Sequence, residues 1–165
     1  MTDLLEGKKI LIADDEQDIL DTLEELLPMC WVKKANDFRS AKEILENLEV
    51  DLAILDIMGV DGYNLLEITN KKKVTAVMLT AHAFSPEDTA KSYKGGAASY
   101  VPKELMSNIP IYLNDVLEAQ KEKKNTWWRW KDRFSGHYDR RFGQQWKDAD
   151  QEFWKLMMFY GGPQA

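Results

Sequence analysis

The sequence predicts a doubly wound α/β protein built on a five-stranded parallel sheet. Three observations lead there. Short β-compatible apolar runs recur five times along residues 8–101, each is followed by a segment with amphipathic helical spacing, and the runs stop at acidic, hydroxylic or cationic residues. Parallel neighbours need crossover connections of about a dozen residues or more, and crossover helices bury both faces of the sheet they connect.

The first run, Lys8 to Ala13 (KKILIA), ends abruptly at Asp14, Asp15 and Glu16. Apolar residues at Ile19, Leu20, Leu23 and Leu26 then trace one helical face. Trp31 to Lys34 reads as a weak strand and Ala41 to Leu48 as a helix. Leu52 to Leu55 is a strand, Tyr63 to Ile68 a helix, and Val74 to Leu79 the fourth strand. Pro86 to Tyr93 is a helix ended by Gly95 and Gly96, Ser99 to Val101 a last short strand, and a helix from about Ile109 to Lys123 closes the pattern.

Composition narrows the class further. No apolar run approaches the roughly 20 residues of a membrane helix, and MTDLLEGKK lacks the order of a signal peptide, so a cytoplasmic protein is expected. Cys30 is the single cysteine and, with His82 and His137, makes no zinc ligand set; a small buried apolar residue is expected there. The formal charge of −6 argues against wholesale nucleic-acid binding. It is unevenly spread: residues 1–124 carry 15 basic and 23 acidic side chains, residues 125–165 carry 7 and 5. Two regions are therefore expected, a main domain over 1–124 and a helical, aromatic-rich extension over 125–165.

In open parallel sheets ligands bind beyond the carboxyl ends of the strands. Asp14 and Asp15 follow the first strand, Asp56 ends the third, Thr80 ends the fourth and Lys103 follows the fifth. Three carboxylates in one pocket repel each other unless a cation neutralises them, and an all-oxygen set favours Mg²⁺. Asp14 and Asp15 can equally serve as caps of the first helix. Asp56 has no such alternative, because an Asp inside the apolar LAILDIM is costly without a charged partner.

The segments ILIADDE, LAILDIM, VMLTA and SYVPK resemble, in order and spacing, the signature segments of response-regulator receiver domains. The resemblance implies a flavodoxin-like sheet of order 2-1-3-4-5, an order for which a chemotaxis receiver is a standard example. It implies Asp56 as phosphoacceptor and Mg²⁺ held by Asp15, by Asp14 through water, by Asp56 and by the backbone carbonyl of Met58. Thr80 and Lys103 would bind the phosphoryl oxygens, with Thr80 and Tyr100 as the switch pair. The donor would be a sensor histidine kinase or a histidine phosphotransfer protein, and the protein a phosphoacceptor rather than a conventional enzyme. A receiver-like scaffold that is never phosphorylated, acting as a constitutive binding or dimerisation module, is the rival reading.

Two departures from the family pattern stand out. The loop after Asp56 runs Ile-Met-Gly-Val-Asp-Gly62, shorter than usual and without its proline, so Gly59 and Gly62 are expected to supply positive φ for a tight turn. Lys103 is followed by Glu104 rather than proline, so no cis peptide is expected after it. His82, two residues beyond Thr80, is a candidate partner contact or an ordinary loop residue.

The extension holds five of the six tryptophans. Trp127, Trp130, Phe134, Tyr138, Phe142, Trp146, Phe153 and Tyr160 keep near-helical spacing, with Gly136 and Gly143 as candidate breaks. So apolar a stripe must be covered. Residues 126–160 can fold back on their own receiver or pair with a second copy as a homodimer; they can dock a different protein; or their interleaved Arg and Lys can stack and pair with nucleic acid, against which the nearby acids and small net charge argue.

Overall fold

The structure, a computed structural model, describes residues 3–81 and 86–142. Strands β1 (Lys9–Ala13), β2 (Trp31–Ala35), β3 (Leu52–Asp56), β4 (Thr75–Thr80) and β5 (Ser99–Pro102) alternate with α1 (Gln17–Leu26), α2 (Phe38–Asn47), α3 (Gly62–Lys72) and α4 (Pro86–Lys94). A 3₁₀ turn (Lys103–Asn108) leads into α5 (Ile109–Lys121), and α6 (Trp130–Phe142) follows. All strand pairings are parallel and the order is β2-β1-β3-β4-β5.

Burial follows that order. β3 lies at the centre with every residue buried, as LAILD anticipates, whereas terminal β2 is largely exposed and Trp31 is 71% accessible. Cys30, directly ahead of this edge strand, is half-buried, which corrects the expectation of a buried residue. The core joins Ile10, Leu11 and Ile12 of β1 to Ile54 and Leu55 of β3, Val77 to Leu79 of β4 and Val101 of β5. The helices turn Leu20, Leu23, Leu45, Leu65 and Leu113 onto it.

Local chemistry sets the element ends. α2 begins at Phe38, ahead of the expected Ala41, because Asp37 caps it: the Asp37 carboxylate accepts the Ser40 amide at 2.8 Å. α3 runs on to Lys72, its last turn carrying Lys71 and Lys72 at the negative end of the helix dipole. At the end of α4, Gly96 takes φ +94 and the Ala97 amide returns to the Ser92 carbonyl at 3.0 Å, closing the helix and aiming the chain into β5.

The opposite end of the sheet is covered by the start of the extension. Trp127, Trp130 and Phe134 are almost fully buried and belong to the same core as Tyr100 and Leu113. The Trp127 indole N–H, in the turn before α6, donates to the Ala97 carbonyl just ahead of β5 at 2.8 Å, and that of Trp130, the first residue of α6, to the Tyr100 carbonyl of β5 at 2.9 Å, so two rings hold β5 and its approach. Phe134 packs on Tyr112 of α5, and Asp115 of α5 receives a two-point contact from Arg133, at 2.8 and 3.0 Å, plus Arg129 at 3.3 Å. Among the coverings open to the sequence, the described part of the extension, residues 125–142, folds back on its own chain. Gly136 does not break α6, which continues through it; burial of Phe134 and Trp130 outweighs the roughly 1 kcal/mol that a mid-helix glycine costs. Gly143 and the aromatics beyond it, Trp146, Phe153 and Tyr160, lie outside the described residues, as does His82.

Candidate functional site

The carboxyl ends of β1, β3, β4 and β5 meet at one rim. Pairing register does the positioning: Asp56 sits beside Leu79 and Thr80 beside Pro102, which places Lys103 one residue past Thr80's partner. Asp14 follows β1 directly, and its amide is tied to the Ala35 carbonyl of β2 at 3.1 Å.

Asp14, Asp15 and Asp56 form a group whose carboxylate oxygens lie within 4.8 Å of one another, Asp14 and Asp56 buried and Asp15 exposed. The Lys103 side chain, 7% accessible, faces them: its Nζ stands 2.8 Å from Asp14 Oδ2 and 3.4 Å from Asp56 Oδ1. The five residues singled out from the sequence do converge on this edge, since Thr80, also buried, ends the adjoining strand. Tyr100 is fully buried in β5, and Met58, in the loop after Asp56, is 66% accessible.

The electrostatics follow from that crowding. Burial raises the pKa of Asp14 above the usual aspartate value, the Asp56 charge adding to it, while Lys103 and the Glu16 amide work the other way. For Lys103 burial alone would favour the neutral amine, but Asp14, Glu16 and Asp56 together outweigh it and raise its pKa, so the ammonium persists. One cation among these acids leaves the pocket strongly negative. Three clustered carboxylates of which one is open to solvent suit a hard divalent ion such as Mg²⁺.

The alternative role for Asp14 and Asp15 resolves in a specific way. The N-cap of α1 is Glu16, which makes no side-chain cap bond. Asp14 Oδ1 accepts the Glu16 amide at 2.9 Å, ordering the turn, while Oδ2 faces Lys103. Asp14 thus orders the turn ahead of α1 without capping the helix, and serves the pocket with its other oxygen.

The short loop after Asp56 corrects an expectation. The residue with positive φ is Asp61 (φ 57), not Gly59 or Gly62. Asp tolerates the left-handed region, and here its carboxylate accepts Asn64 Nδ2 at 2.7 Å. The two glycines are required by close approach instead. A Cβ on Gly59 would collide with the Asp15 carboxylate, and one on Gly62 with the backbone of Asp56 and with Ile57 Cα at 2.8 Å. The Gly59 amide donates to Asp56 Oδ2 at 2.9 Å, so the loop aims an N–H at the Asp56 carboxylate. The peptide after Lys103 is trans.

Glu16 is a site residue that composition and strand ends did not single out. Its Oε2 lies 3.0 Å from Lys103 Nζ. The signal was its place in the acidic triplet Asp14-Asp15-Glu16, but the direction of the third side chain depends on where Lys103 arrives from β5.

A parallel 2-1-3-4-5 sheet with an acidic, lysine-containing pocket at the carboxyl ends of its strands defines a doubly wound α/β protein of the flavodoxin-like class. The response regulator receiver domain profile matches residues 10–109, and the chain belongs to that family. It is 33% identical over 127 residues to the two-component response regulator ARR10 of Arabidopsis thaliana, covering 72% of this chain and 23% of that protein. It is 36% identical over 126 residues to the probable transcriptional regulator ycf27 of Galdieria sulphuraria, covering 70% and 49%. Among solved structures, a CheY-like receiver domain protein from Methanospirillum hungatei superposes with a TM-score of 0.57 at 32% identity, over 71% of this chain and 93% of that one. The chain spans a quarter to a half of the length of these curated relatives. Among the described residues no helix is long and apolar enough to cross a membrane.

Proposed function

We propose that this protein is a cytoplasmic response regulator of a two-component phosphorelay in which Asp56 accepts a phosphoryl group. The single observation that carries the reading is the buried Lys103 ammonium held between Asp14 and Asp56 at the strand ends. In the transfer, an Asp56 carboxylate oxygen forms a bond to phosphorus as the phosphorus–nitrogen bond of a phosphohistidine breaks, and the imidazole of the kinase or phosphotransfer partner leaves with a proton. Asp14, Asp15 and Asp56, with the Met58 carbonyl, are the groups that would hold Mg²⁺, whose charge would compensate that of the incoming phosphate. Thr80 and Lys103 receive the phosphoryl oxygens, and the Gly59 amide is aimed at the same place. The chain is then a stoichiometric acceptor that assists its own phosphorylation, rather than a turnover enzyme.

The output runs through the division of labour between residues 1–124 and 125–165. Thr80 and Tyr100 are the switch pair, and the Tyr100 carbonyl is held by Trp130 while Glu104, next to Lys103, faces His137 Nε2 at 3.3 Å. Movement of Lys103 and Thr80 toward a phosphoryl group is thereby felt by α6. Arg129 and Arg133 are engaged by Asp115 and Glu118, which argues for protein contacts rather than nucleic acid as the extension's role.

Intact mass after incubation with acetyl phosphate and Mg²⁺ tests the acceptor: wild type should gain one phosphoryl group and Asp56→Asn none. A wild type that gains none would leave the constitutive scaffold as the better account. Hydrogen exchange over residues 126–142, with and without beryllofluoride, tests the output, and unchanged protection would count against it.

A further inference from the structure

Resting on the acceptor reading, one contact in the pocket has no part in phosphate binding: that of Glu16 with Lys103. The lysine ammonium has three N–H donors, and its contacts here are unequal. Asp14 at 2.8 Å and Glu16 at 3.0 Å are at hydrogen-bond distance, whereas Asp56 at 3.4 Å is not. The ammonium is thus drawn toward the turn after β1, away from the acceptor it would serve.

The two stronger holders differ in how easily they let go. Asp14 is fully buried, so losing its cation would leave an uncompensated charge out of water. The Glu16 side chain is 52% accessible and water replaces the lysine at small cost. Glu16 also contributes no cap bond to α1, although it occupies the N-cap position. Of the two holders, the solvent-facing Glu16 is the exchangeable partner of Lys103.

We infer that Glu16 is a positioning residue, a latch that holds Lys103 off Asp56 until a phosphoryl group competes for the ammonium. An acyl phosphate brings nearly two negative charges and several acceptor oxygens in place of one carboxylate. Lys103 turns to it, keeps Asp14, and gives up Glu16. The latch sets the resting state against phosphorylation, so releasing it favours the modified form.

The test is a beryllofluoride titration in the presence of Mg²⁺, followed by fluorine NMR, on wild type, Glu16→Gln, Glu16→Asp, Lys103→Met and the double variant Glu16→Gln/Lys103→Met. Glu16→Gln should bind beryllofluoride about 3- to 5-fold more tightly, the size expected for a partly exposed ion pair of up to ~1 kcal/mol. Glu16→Asp keeps the charge but is one methylene too short for the contact, and should behave like Glu16→Gln. In the Lys103→Met background the Glu16→Gln effect should vanish, a coupling that a merely structural role would not produce. The inference is overturned if Glu16→Gln matches wild type, if Glu16→Asp does, or if the effect survives without Lys103. Failure of wild type itself to bind beryllofluoride would instead bring down the acceptor reading, and the latch with it.

Discussion

Trp130 is where the extension's attachment can be measured. Its ring is 3% accessible, lies 5.4 Å from Trp127 and 5.3 Å from Phe134 by ring centroid, and donates its indole N–H to Tyr100. Trp130→Phe removes that hydrogen bond and part of the ring while keeping an aromatic, at a cost of about 1–2 kcal/mol: roughly 1 for the bond, the rest for lost packing. Trp130→Ala removes the whole ring, for which about 3–5 kcal/mol is usual. In a chain of 165 residues each kcal/mol moves the melting midpoint by roughly 2–4 °C, so falls of roughly 5 °C and roughly 10 °C or more are expected.

Thermal and urea unfolding by far-ultraviolet circular dichroism would read both variants. There is a ceiling to consider, because the loss at any α6 position cannot exceed the free energy with which α6 docks. If Trp127→Ala, Trp130→Ala and Phe134→Ala all converge on one value, that value is the docking energy and α6 leaves as a unit. A Trp130→Ala protein within about 1 kcal/mol of wild type would put the docking energy of α6 at no more than that and refute its firm attachment.

The acceptor loop and the lone thiol give sharper contrasts. Gly59→Ala should abolish Mg²⁺ binding by displacing the Asp15 carboxylate while costing little stability, since a side chain can move; Gly62→Ala should cost about 1–3 kcal/mol, since the obstacle is backbone. Calorimetric Mg²⁺ titration and urea unfolding separate them, and equal effects of the two would refute the distinction. Cys30 has its thiol pushed up to about 11, by burial first and by Asp3 and Glu6 next, and donates to the Leu5 carbonyl at 3.4 Å. A thiol that holds its proton more tightly when folded contributes stability that is complete below its unfolded value of 9.0 and is lost as pH rises through about 11. Cys30→Ala should therefore lose less stability than wild type between pH 9 and 11, and native Cys30 should resist alkylation at pH 8; a fast-reacting thiol would refute this.

The fold was legible because its signals are local and repeated. LAILD, bounded by polar residues, can only be a strand buried on both faces, and acids, hydroxyl and lysine at the strand ends mark the ligand edge once the sheet is parallel. Asp56 was legible for an energetic reason, a charge inside an apolar run. Glu16 was not, because its role depends on a lysine 87 residues away in sequence. Nor was the purpose of Gly59 and Gly62: glycine suggests positive φ, whereas the shortened loop needs them for clearance and gives the left-handed residue to Asp61. For the extension, periodicity announces a buried face but not its cover, since an apolar stripe carries no address. The address lies in polar details, two indole N–H groups meeting the carbonyls of Ala97 and Tyr100 and two arginines meeting Asp115.

Those details tie the extension to the chemistry through one short strand. β5 offers the Tyr100 carbonyl to Trp130 and, three residues later, delivers Lys103 to the acid cluster. A four-residue strand packed in a core of native density has little freedom to move at one end alone. The coupling must then run both ways, because a free energy of interaction between two sites is reciprocal. If a phosphoryl group on Asp56 loosens α6, undocking of α6 must tighten beryllofluoride binding by the same factor, and Trp130→Phe can tighten it only up to that factor, to the extent that it undocks α6. On that premise the Glu16 latch would oppose modification at the pocket and the Trp130 contact would oppose it from β5. Because the two act on different groups, Lys103 and the Tyr100 carbonyl, their releases should multiply rather than substitute for one another.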